Sequence, residues 1–405
     1  MKRFTARATE QLLWTLITFC GTSIGAAFLS AREFGHLALG SAVVLLVQAL
    51  ARAIWTDLQA IAYVETPESH SATTATLLKQ AGSVAGAFFG AVGLVVLWIP
   101  EPSLRPLVIG TCLAAALVPA SDLVRGSLLV RGRARAGAAL ASAAFAVAAA
   151  VTAVTFAFTK SAGAFLCGWA GAMGVVVAVG FWSVRSKLTR QGAEPDKARI
   201  AALRRRTMRP LLGEAALTAG VSQGAVFILA ATLGPLANAA VRGGFLLFFP
   251  LNMAVQSLSH SIVPQAGRAS ARTAGFAVIG RWLFWAGLGP VMYLAIMLLI
   301  DRSLLAILLG DSVDLARQVA PGVALYVAGT AMTVISVGLA RATGKFAYGT
   351  VLRAVVAPVS LFAPAVLGVL FGVPGIAVAY GASGVVLVAG SVLIVAKIRR
   401  AAEAS

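Results

Sequence analysis

Residues 21–28 read GTSIGAAF, and residues 220–227 read GVSQGAVF. At a constant offset of 199, 11 of the 27 positions from 12 to 38 are identical in the two stretches. Roughly a tenth of the positions would match by chance in a chain of this composition. The sequence therefore predicts two related halves, each of which begins with the same pattern.

The repeated stretch also matches G-x-S-x-G, the motif that presents the nucleophile of serine hydrolases. In those enzymes the motif follows a strand and precedes a helix, and an acid and a histidine complete the site. Both copies here lie in apolar segments typical of membrane helices. We therefore interpret the glycines as small-residue packing faces, with GxxxG pairs at Gly21/Gly25 and Gly220/Gly224. The sequence does not predict an enzyme.

The composition predicts a helical membrane protein. Of the 405 residues, 59% are hydrophobic and 12% are charged, whereas about 25% are charged in an ordinary soluble domain. This excludes a soluble enzyme, and the hydrophobicity is far too high for a disordered chain. We predict an all-α polytopic membrane protein with about 12 transmembrane helices, because twelve apolar segments are long enough to span a bilayer. They cover residues 11–31, 36–63, 79–99, 106–128, 137–158, 162–184, 211–232, 236–262, 275–300, 316–340, 347–371 and 374–396.

Prolines interrupt several of these segments and predict bends in the helices. They are Pro119, Pro250, Pro290, Pro321, Pro358 and Pro364.

The distribution of Lys and Arg predicts the orientation of the chain. With the N-terminus inside, 25 of the 33 basic residues fall on the cytoplasmic side and four fall outside. The positive-inside rule then places both termini in the cytoplasm. The excess of Arg over Lys and the abundance of Ala indicate a GC-rich bacterial genome. The net charge of +19 is explained by topology and by contact with anionic membrane lipids, so nucleic acid is not predicted as a partner.

One long polar stretch divides the chain. We predict an N-terminal six-helix lobe at 1–184, a basic cytoplasmic linker at 185–210, and a C-terminal six-helix lobe at 211–405. The linker is expected to contain an amphipathic helix near 195–207. Since each half has six spans, both halves enter the membrane from the same side, and the two lobes are related by a parallel internal repeat.

The ends of the halves align at a second offset, 212 positions. The aligned glycines are Gly126/Gly338, Gly132/Gly344, Gly137/Gly349 and Gly163/Gly375. The difference between the two offsets implies an insertion, which we place at 301–315 as a short helix. Parallel repeats are typical of alternating-access transporters, although duplicated bundles also occur in channels and in scaffolds without transport.

Ionisable residues inside the spans are the candidate functional residues, because a charge in the bilayer needs a cavity or a partner. Arg52 and Arg242 lie deepest in their segments and are expected to face a cavity. Asp122 and Arg125 are three positions apart on one helical face, so they can neutralise one another. The three histidines are scattered and the three cysteines lie in apolar runs, so neither a metal nor a cofactor is predicted.

Three stretches resemble a known family. The first is FLSAREFGHLALGSAVVLLVQAL at 28–50, the second is LGPLANAAVRGGFLLFFPLNMAVQSLSHSIVPQAGRA at 233–269, and the third is the pair of closing spans within 340–387. They are similar to polysaccharide flippases of the Wzx type, in the multidrug/oligosaccharidyl-lipid/polysaccharide (MOP) exporter superfamily. The resemblance covers nearly the whole chain.

The resemblance implies an alternating-access transporter that flips an undecaprenyl-pyrophosphate-linked oligosaccharide or polysaccharide precursor across the inner membrane. A buried pyrophosphate needs cations, so Arg52, Arg242 and Arg125 are the implied substrate-binding residues. Asp57, Asp122 and Glu214 are the implied ion-coupling residues, with H+ or Na+ as the coupling ion.

Two further functions remain open at this point. A multidrug/cation antiporter of the same superfamily would need an acidic, aromatic cavity. A membrane-embedded glycan polymerase or ligase would need a large catalytic outer loop, whereas the longest outer connection covers about 15 residues, 301–315.

Overall fold

A computed structural model shows the fold. It describes residues 19, 21–56, 58–59, 74, 76–84, 104–130, 133–191, 201–202, 205, 208, 211–213, 215–255, 275–343, 345 and 347–403. All regular elements in this part of the chain are helices. We number the main ones α1 (Ala31–Ala51), α2 (Arg105–Val130), α3 (Ala134–Thr159), α4 (Ala162–Gln191), α5 (Val221–Leu233), α6 (Pro235–Leu247), α7 (Gly275–Leu299), α8 (Arg302–Leu309), α9 (Val313–Ala342) and α10 (Ala347–Glu403).

The helices have the length and composition of membrane spans. Eight of those within the described ranges are apolar and long enough to cross a bilayer, and a ninth forms if one bent pair counts as a span. Helices α2, α3, α4, α7 and α9 each cover one predicted segment, and α10 covers the last two, with a break at Gly372. The predicted all-α polytopic fold is therefore confirmed. Most of the predicted linker helix near 195–207 lies outside the described residues.

The bent pair contains one of the predicted proline interruptions. The helix α6 ends at Leu247, and a second helical piece, Phe249–Val255, continues at an angle of 62°. Pro250 has no N–H to donate to the carbonyl oxygen of Leu246, and its ring crowds that carbonyl. The bend therefore falls where the proline predicts it. By contrast, α2 and α9 remain continuous through Pro119 and Pro321.

The parallel repeat is visible in the ends of the last three spans of each half. At the offset of 212, the end of α2 at Val130 corresponds to the end of α9 at Ala342, and the end of α4 at Gln191 corresponds to that of α10 at Glu403. The turn before the final span corresponds as well. Lys160 has a φ of 46°, and Gly372, 212 positions later, has a φ of 68°. The two halves therefore share the positions of these helix ends and of this turn.

Glycines bring equivalent helices into close contact in both halves. A Cβ atom added to Gly110 on α2 would lie 2.8 Å from the carbonyl oxygen of Gly163 on α4. At the equivalent position on α9, a Cβ added to Gly322 would lie 1.9 Å from the carbonyl oxygen of Ala377 on α10. In a bilayer there is little hydrophobic force between helices, so such close backbone packing supplies much of their association.

The glycines of the repeated G-x-S-x-G stretch do not all lie at close contacts between helices. Among the described residues, an added Cβ at Gly21 meets no atom within 4 Å, and one at Gly220 meets only Ala216 of its own helix, at 4.0 Å. At Gly224 it would lie 2.9 Å from a methyl group of Leu361. The interpretation as packing glycines is therefore wrong at Gly21 and Gly220.

The chain forms two compact units. The first consists of Met1–Gly21 and His36–Gln223, and the second consists of Thr22–Gly35 and Gly224–Ser405. The core of the first unit includes small side chains of α2, α3 and α4, among them Ala114, Ala141 and Ala172. The core of the second is built by larger side chains of α7, α9 and α10.

A short helix occupies the predicted insertion at 301–315. Asp301 caps α8 by accepting a hydrogen bond from the backbone N–H of Ser303, at 3.1 Å. The hydroxyl and backbone N–H of Ser303 hold the pKa of Asp301 below its usual range. The guanidinium of Arg302 donates to both carboxylate oxygens of Asp314, at 2.9 and 2.7 Å. These contacts tie the two ends of the inserted segment together.

The glycine contact between α9 and α10 can be tested by adding one methyl group. We expect Gly322→Ala to lower the thermal unfolding midpoint clearly, because the new Cβ overlaps the carbonyl oxygen of Ala377 and such overpacking costs about 1–3 kcal/mol. Gly289→Ala is the matched control in the same unit, since its Cβ meets nothing within 4 Å. Equal midpoints for the two purified variants in one detergent would contradict the packing described here.

The equivalent turns at Lys160 and Gly372 should respond differently to substitution. Lys160 lies in the left-handed helical region (φ 46°, ψ 35°), so Lys160→Gly should stabilise the protein by about 0.5–1 kcal/mol. Gly372 has φ 68° and ψ −150°, a region that is open almost only to glycine, so Gly372→Ala should destabilise it by about 1–3 kcal/mol. Thermal unfolding of both variants measures this, and Lys160→Ala, which keeps the strain, serves as the control. A stabilised Lys160→Ala would refute the explanation.

Candidate functional site

Arg242 lies on α6, in the second unit. The helix begins at Pro235, directly after Gly234, whose φ is 79°. Proline suits the first helical position because the N–H that it lacks would have no partner there. Gly243, the next residue after Arg242, packs against α9, since its added Cβ would lie 2.9 Å from the Cβ of Ala316. The position of Arg242 is therefore set by the start of its helix at Pro235 and by the contact of Gly243 with α9.

The Arg242 side chain has no protein partner among the described residues. It keeps accessible surface, although the neighbouring residues Val241 and Gly243 are buried. It forms neither an ion pair nor a hydrogen bond with that part of the chain. A guanidinium does not lose its proton in proteins. This position therefore presents a fixed positive charge to whatever fills the space beside it.

Three aromatic rings meet one turn further along α6. The ring centroid of Phe245 lies 5.8 Å from that of Tyr326 on α9 and 5.5 Å from that of Tyr380 on α10. The two tyrosine rings are 5.5 Å apart, and all three pairs meet edge to face, the favoured geometry for aromatic contacts. We call these three residues the aromatic cluster. Sequence reasoning missed it, because its members are up to 135 positions apart.

A polar cluster lies in the first unit. Asp122 on α2 forms an ion pair with Arg125, with 3.4 Å between Oδ1 and the guanidinium nitrogen Nη1. The amide nitrogen of Gln48 on α1 donates to both oxygens of the same carboxylate, at 3.2 Å each. Asp122 is only 6% exposed. The ion pair that the three-residue spacing allows is therefore present, and Gln48 is a partner that the sequence did not reveal.

Of the other predicted site residues, one is exposed and two lie outside the described part of the chain. The side chain of Arg52 is exposed and lies in a π-helical turn, Arg52–Thr56, that follows α1. Asp57 and Glu214 fall outside the residues that the structure describes. Of the six predicted residues, the structure thus brings Asp122 and Arg125 together and places Arg242 in the second unit.

Metal-ligating side chains do not cluster in the part of the chain that is described. It contains no group of three or more His, Cys, Asp or Glu residues arranged to hold a metal ion. The chemistry available at the two clusters is therefore that of charge and hydrogen bonding. Arg242 can bind an anion in the second unit.

Comparisons by sequence find no relative: no protein-family model matches the chain, and the curated proteins yield no significant match. Solved structures do match. A mutant of the Vibrio cholerae MATE transporter VcmN has a TM-score of 0.59 and 14% identity, covering 99% of this chain and 96% of that one. An outward-facing multidrug resistance MATE family transporter of the MOP superfamily has a TM-score of 0.58 and 12% identity, with coverage of 99% and 95%.

The inward-facing form of a multidrug resistance MATE family transporter is similar as well. Its TM-score is 0.56 at 12% identity, and the match covers 95% of each chain. Identities this low relate folds and not substrates. Taken over nearly their whole lengths, these matches show that this chain has the fold of MATE transporters of the MOP superfamily.

Proposed function

We propose that this chain is an alternating-access membrane transporter whose cargo carries a negative charge. Its fold is shared with transporters that have been observed in outward-facing and inward-facing conformations. The observation that carries the choice of cargo is Arg242, an arginine deep in an apolar unit with no partner among the described residues.

The charge of Arg242 needs compensation. A basic side chain at the centre of a membrane helix costs about 2.5–3.5 kcal/mol even when the surroundings relax. Asp122 and Arg125 in the first unit meet this cost by pairing with each other. Arg242 does not, so an anionic group of the cargo is the natural counter-ion. Arginine suits a phosphate particularly well, because its planar fork donates two parallel hydrogen bonds.

The specific cargo that we propose is a lipid-linked oligosaccharide or polysaccharide precursor of the undecaprenyl-pyrophosphate type. Its pyrophosphate would be the counter-ion of Arg242, and its isoprenoid chain would remain in the bilayer. Arg52, in the first unit, is exposed and is a further proposed substrate-binding residue. Arg125 is engaged by Asp122 and becomes available to cargo only when that pair opens. We further propose that the protein lies in a bacterial inner membrane with both termini in the cytoplasm.

Ion coupling is assigned to the acidic residues Asp122, Asp57 and Glu214. Of these, Asp122 has a defined environment, with its charge divided between Arg125 and the amide of Gln48. Binding of H+ or Na+ at this carboxylate would weaken its attraction for Arg125. The first unit would then respond to an ion gradient, while Arg242 in the second unit binds the anionic group of the cargo.

A multidrug/cation antiporter is the second candidate, and the comparisons favour it. The similar structures whose names state an activity are multidrug resistance transporters, and the aromatic cluster suits an organic cation. Arg242 argues against it, because a fixed positive charge one turn away repels a cationic drug. The two candidates therefore predict cargo of opposite charge.

The charge of the cargo can be tested at Arg242. We expect Arg242→Gln to lower the transport of a lipid-linked oligosaccharide into proteoliposomes by ten- to a hundredfold, since hydrogen bonds to charged groups contribute about 1.5–3 kcal/mol. Arg281→Gln, an exposed arginine of the same unit, is the matched control and should keep the parent rate. Efflux of a cationic dye is measured in parallel.

The two candidates give opposite results in this experiment. If Arg242→Gln leaves the oligosaccharide rate unchanged and the parent protein exports the dye, the anionic cargo is excluded and the antiporter is supported. Loss of oligosaccharide transport without dye export supports the flippase.

Ion coupling can be tested at Asp122. We expect Asp122→Asn to abolish the stimulation of transport by an imposed H+ or Na+ gradient, because an amide cannot change its charge. Cargo binding should persist, since Arg242 lies in the other unit. Gln48→Glu is a useful companion, as it adds a second carboxylate beside Asp122. A gradient response that survives Asp122→Asn would exclude this residue as the coupling group.

A further inference from the structure

A buried amide lies two turns before the aromatic cluster on α6. Asn238, Arg242 and Phe245 are spaced four and three positions apart, so they share one face of the helix. Asn238 is only 2% exposed. Neither the nitrogen nor the oxygen of its side chain has a hydrogen-bond partner among the described residues. Together with Arg242, this face carries two polar groups without protein partners in the described part of the chain.

Such an amide is costly unless something binds it. A buried polar group without a partner costs about 1–3 kcal/mol, and nearly all buried groups in native proteins avoid this cost. The side-chain amide offers two donors and an accepting oxygen. A ligand with hydroxyl groups can satisfy both ends of it at once, whereas a simple anion can satisfy only the nitrogen.

The aromatic cluster adds apolar surface and two further polar groups. Phe245 and Tyr326 keep accessible surface, while Tyr380 is buried. Neither tyrosine hydroxyl forms a hydrogen bond with another described residue. Rings of this kind combine a broad apolar face with a polar tip. They can therefore cover the C–H face of a sugar and also contact its hydroxyl groups.

Together, Asn238, Arg242 and the aromatic cluster favour one class of ligand over others. Three aromatic rings alone also suit a quaternary ammonium group, but Arg242, one turn from Phe245, disfavours a second positive charge. A purely apolar ligand would leave Asn238 and Arg242 without partners. An anion attached to a ring with several hydroxyl groups satisfies all of these groups together.

We infer that α6, α9 and the second arm of α10, residues 373–403, form a binding subsite for a glycosyl phosphate. Arg242 binds the phosphate oxygens, Asn238 exchanges hydrogen bonds with sugar hydroxyls, and the aromatic cluster covers the sugar ring. This inference rests on the proposed function and deepens it, because it assigns the sugar next to the phosphate to the second unit. Asn238 and Tyr326 thereby become specificity-determining residues.

The subsite predicts selective loss of sugar recognition. Purified protein in lipid nanodiscs is titrated with glucose 1-phosphate and with inorganic phosphate, and binding is followed by ligand-observed NMR. We expect Tyr326→Phe and Asn238→Leu to weaken glucose 1-phosphate binding by five- to tenfold, with phosphate binding unchanged. Arg242→Gln should weaken the binding of both ligands. Tyr348→Phe, which removes a tyrosine hydroxyl elsewhere in the same unit, should match the parent protein.

The outcomes separate this inference from the proposed function. Unchanged glucose 1-phosphate binding in Tyr326→Phe and Asn238→Leu, or no preference of the parent protein for glucose 1-phosphate over phosphate, overturns the subsite. Anionic cargo stands in either case if Arg242→Gln still loses phosphate binding and oligosaccharide transport. Tyr326→Phe keeps the ring and its packing, so thermal unfolding at the parent midpoint shows that its effect on binding is not a loss of folding.

Discussion

Close backbone contact between α9 and the second arm of α10 is the constraint on which the second unit depends. Glycines make this contact at two levels, with Gly322 against the carbonyl of Ala377 and Gly329 against that of Gly384. Tyr326 and Tyr380 lie on the same two helices between these levels. Because the backbones are fixed on either side, the rings have little freedom to separate. The geometry of the aromatic cluster therefore depends on the glycines at this helix contact.

A duplicated scaffold carries charges that are not duplicated. At the offset of 199, Arg242 corresponds to Val43, and at the offset of 212, Asp122 and Arg125 correspond to Val334 and Val337. The repeat therefore explains where helices end and turn but not where the polar clusters lie. In the described part of the chain, the first unit holds a carboxylate with its partners, and the second holds an arginine, Arg242, without one. This asymmetry is the basis of the division of labour that we propose, with ion coupling in one half and anion binding in the other.

Features that depend on local sequence could be predicted, and features that depend on packing could not. Apolar length predicted the spans, Pro250 predicted the bend after α6, and a spacing of three predicted the Asp122–Arg125 pair. Gln48 could not be predicted as a partner, because 74 positions separate it from Asp122. The same holds for the aromatic cluster, whose three rings come from three different helices. The packing role predicted for Gly21 is wrong as far as the described residues show, since none of their atoms lies within 4 Å of an added Cβ there.

The segment Thr22–Gly35 has a consequence for the integrity of the molecule. It belongs to the second unit, although the chain before and after it belongs to the first, and its Phe34 is fully buried. Residues before Gly224 belong in turn to the first unit, although they follow the basic stretch at 185–210. The second unit is thus built from two separate stretches of the chain, 22–35 and 224–405. A fragment that begins at Gly224 would lack the backbone of Ala26 and Gly35, against which Gly310 and Pro235 pack closely, so it would expose surface that the full chain covers.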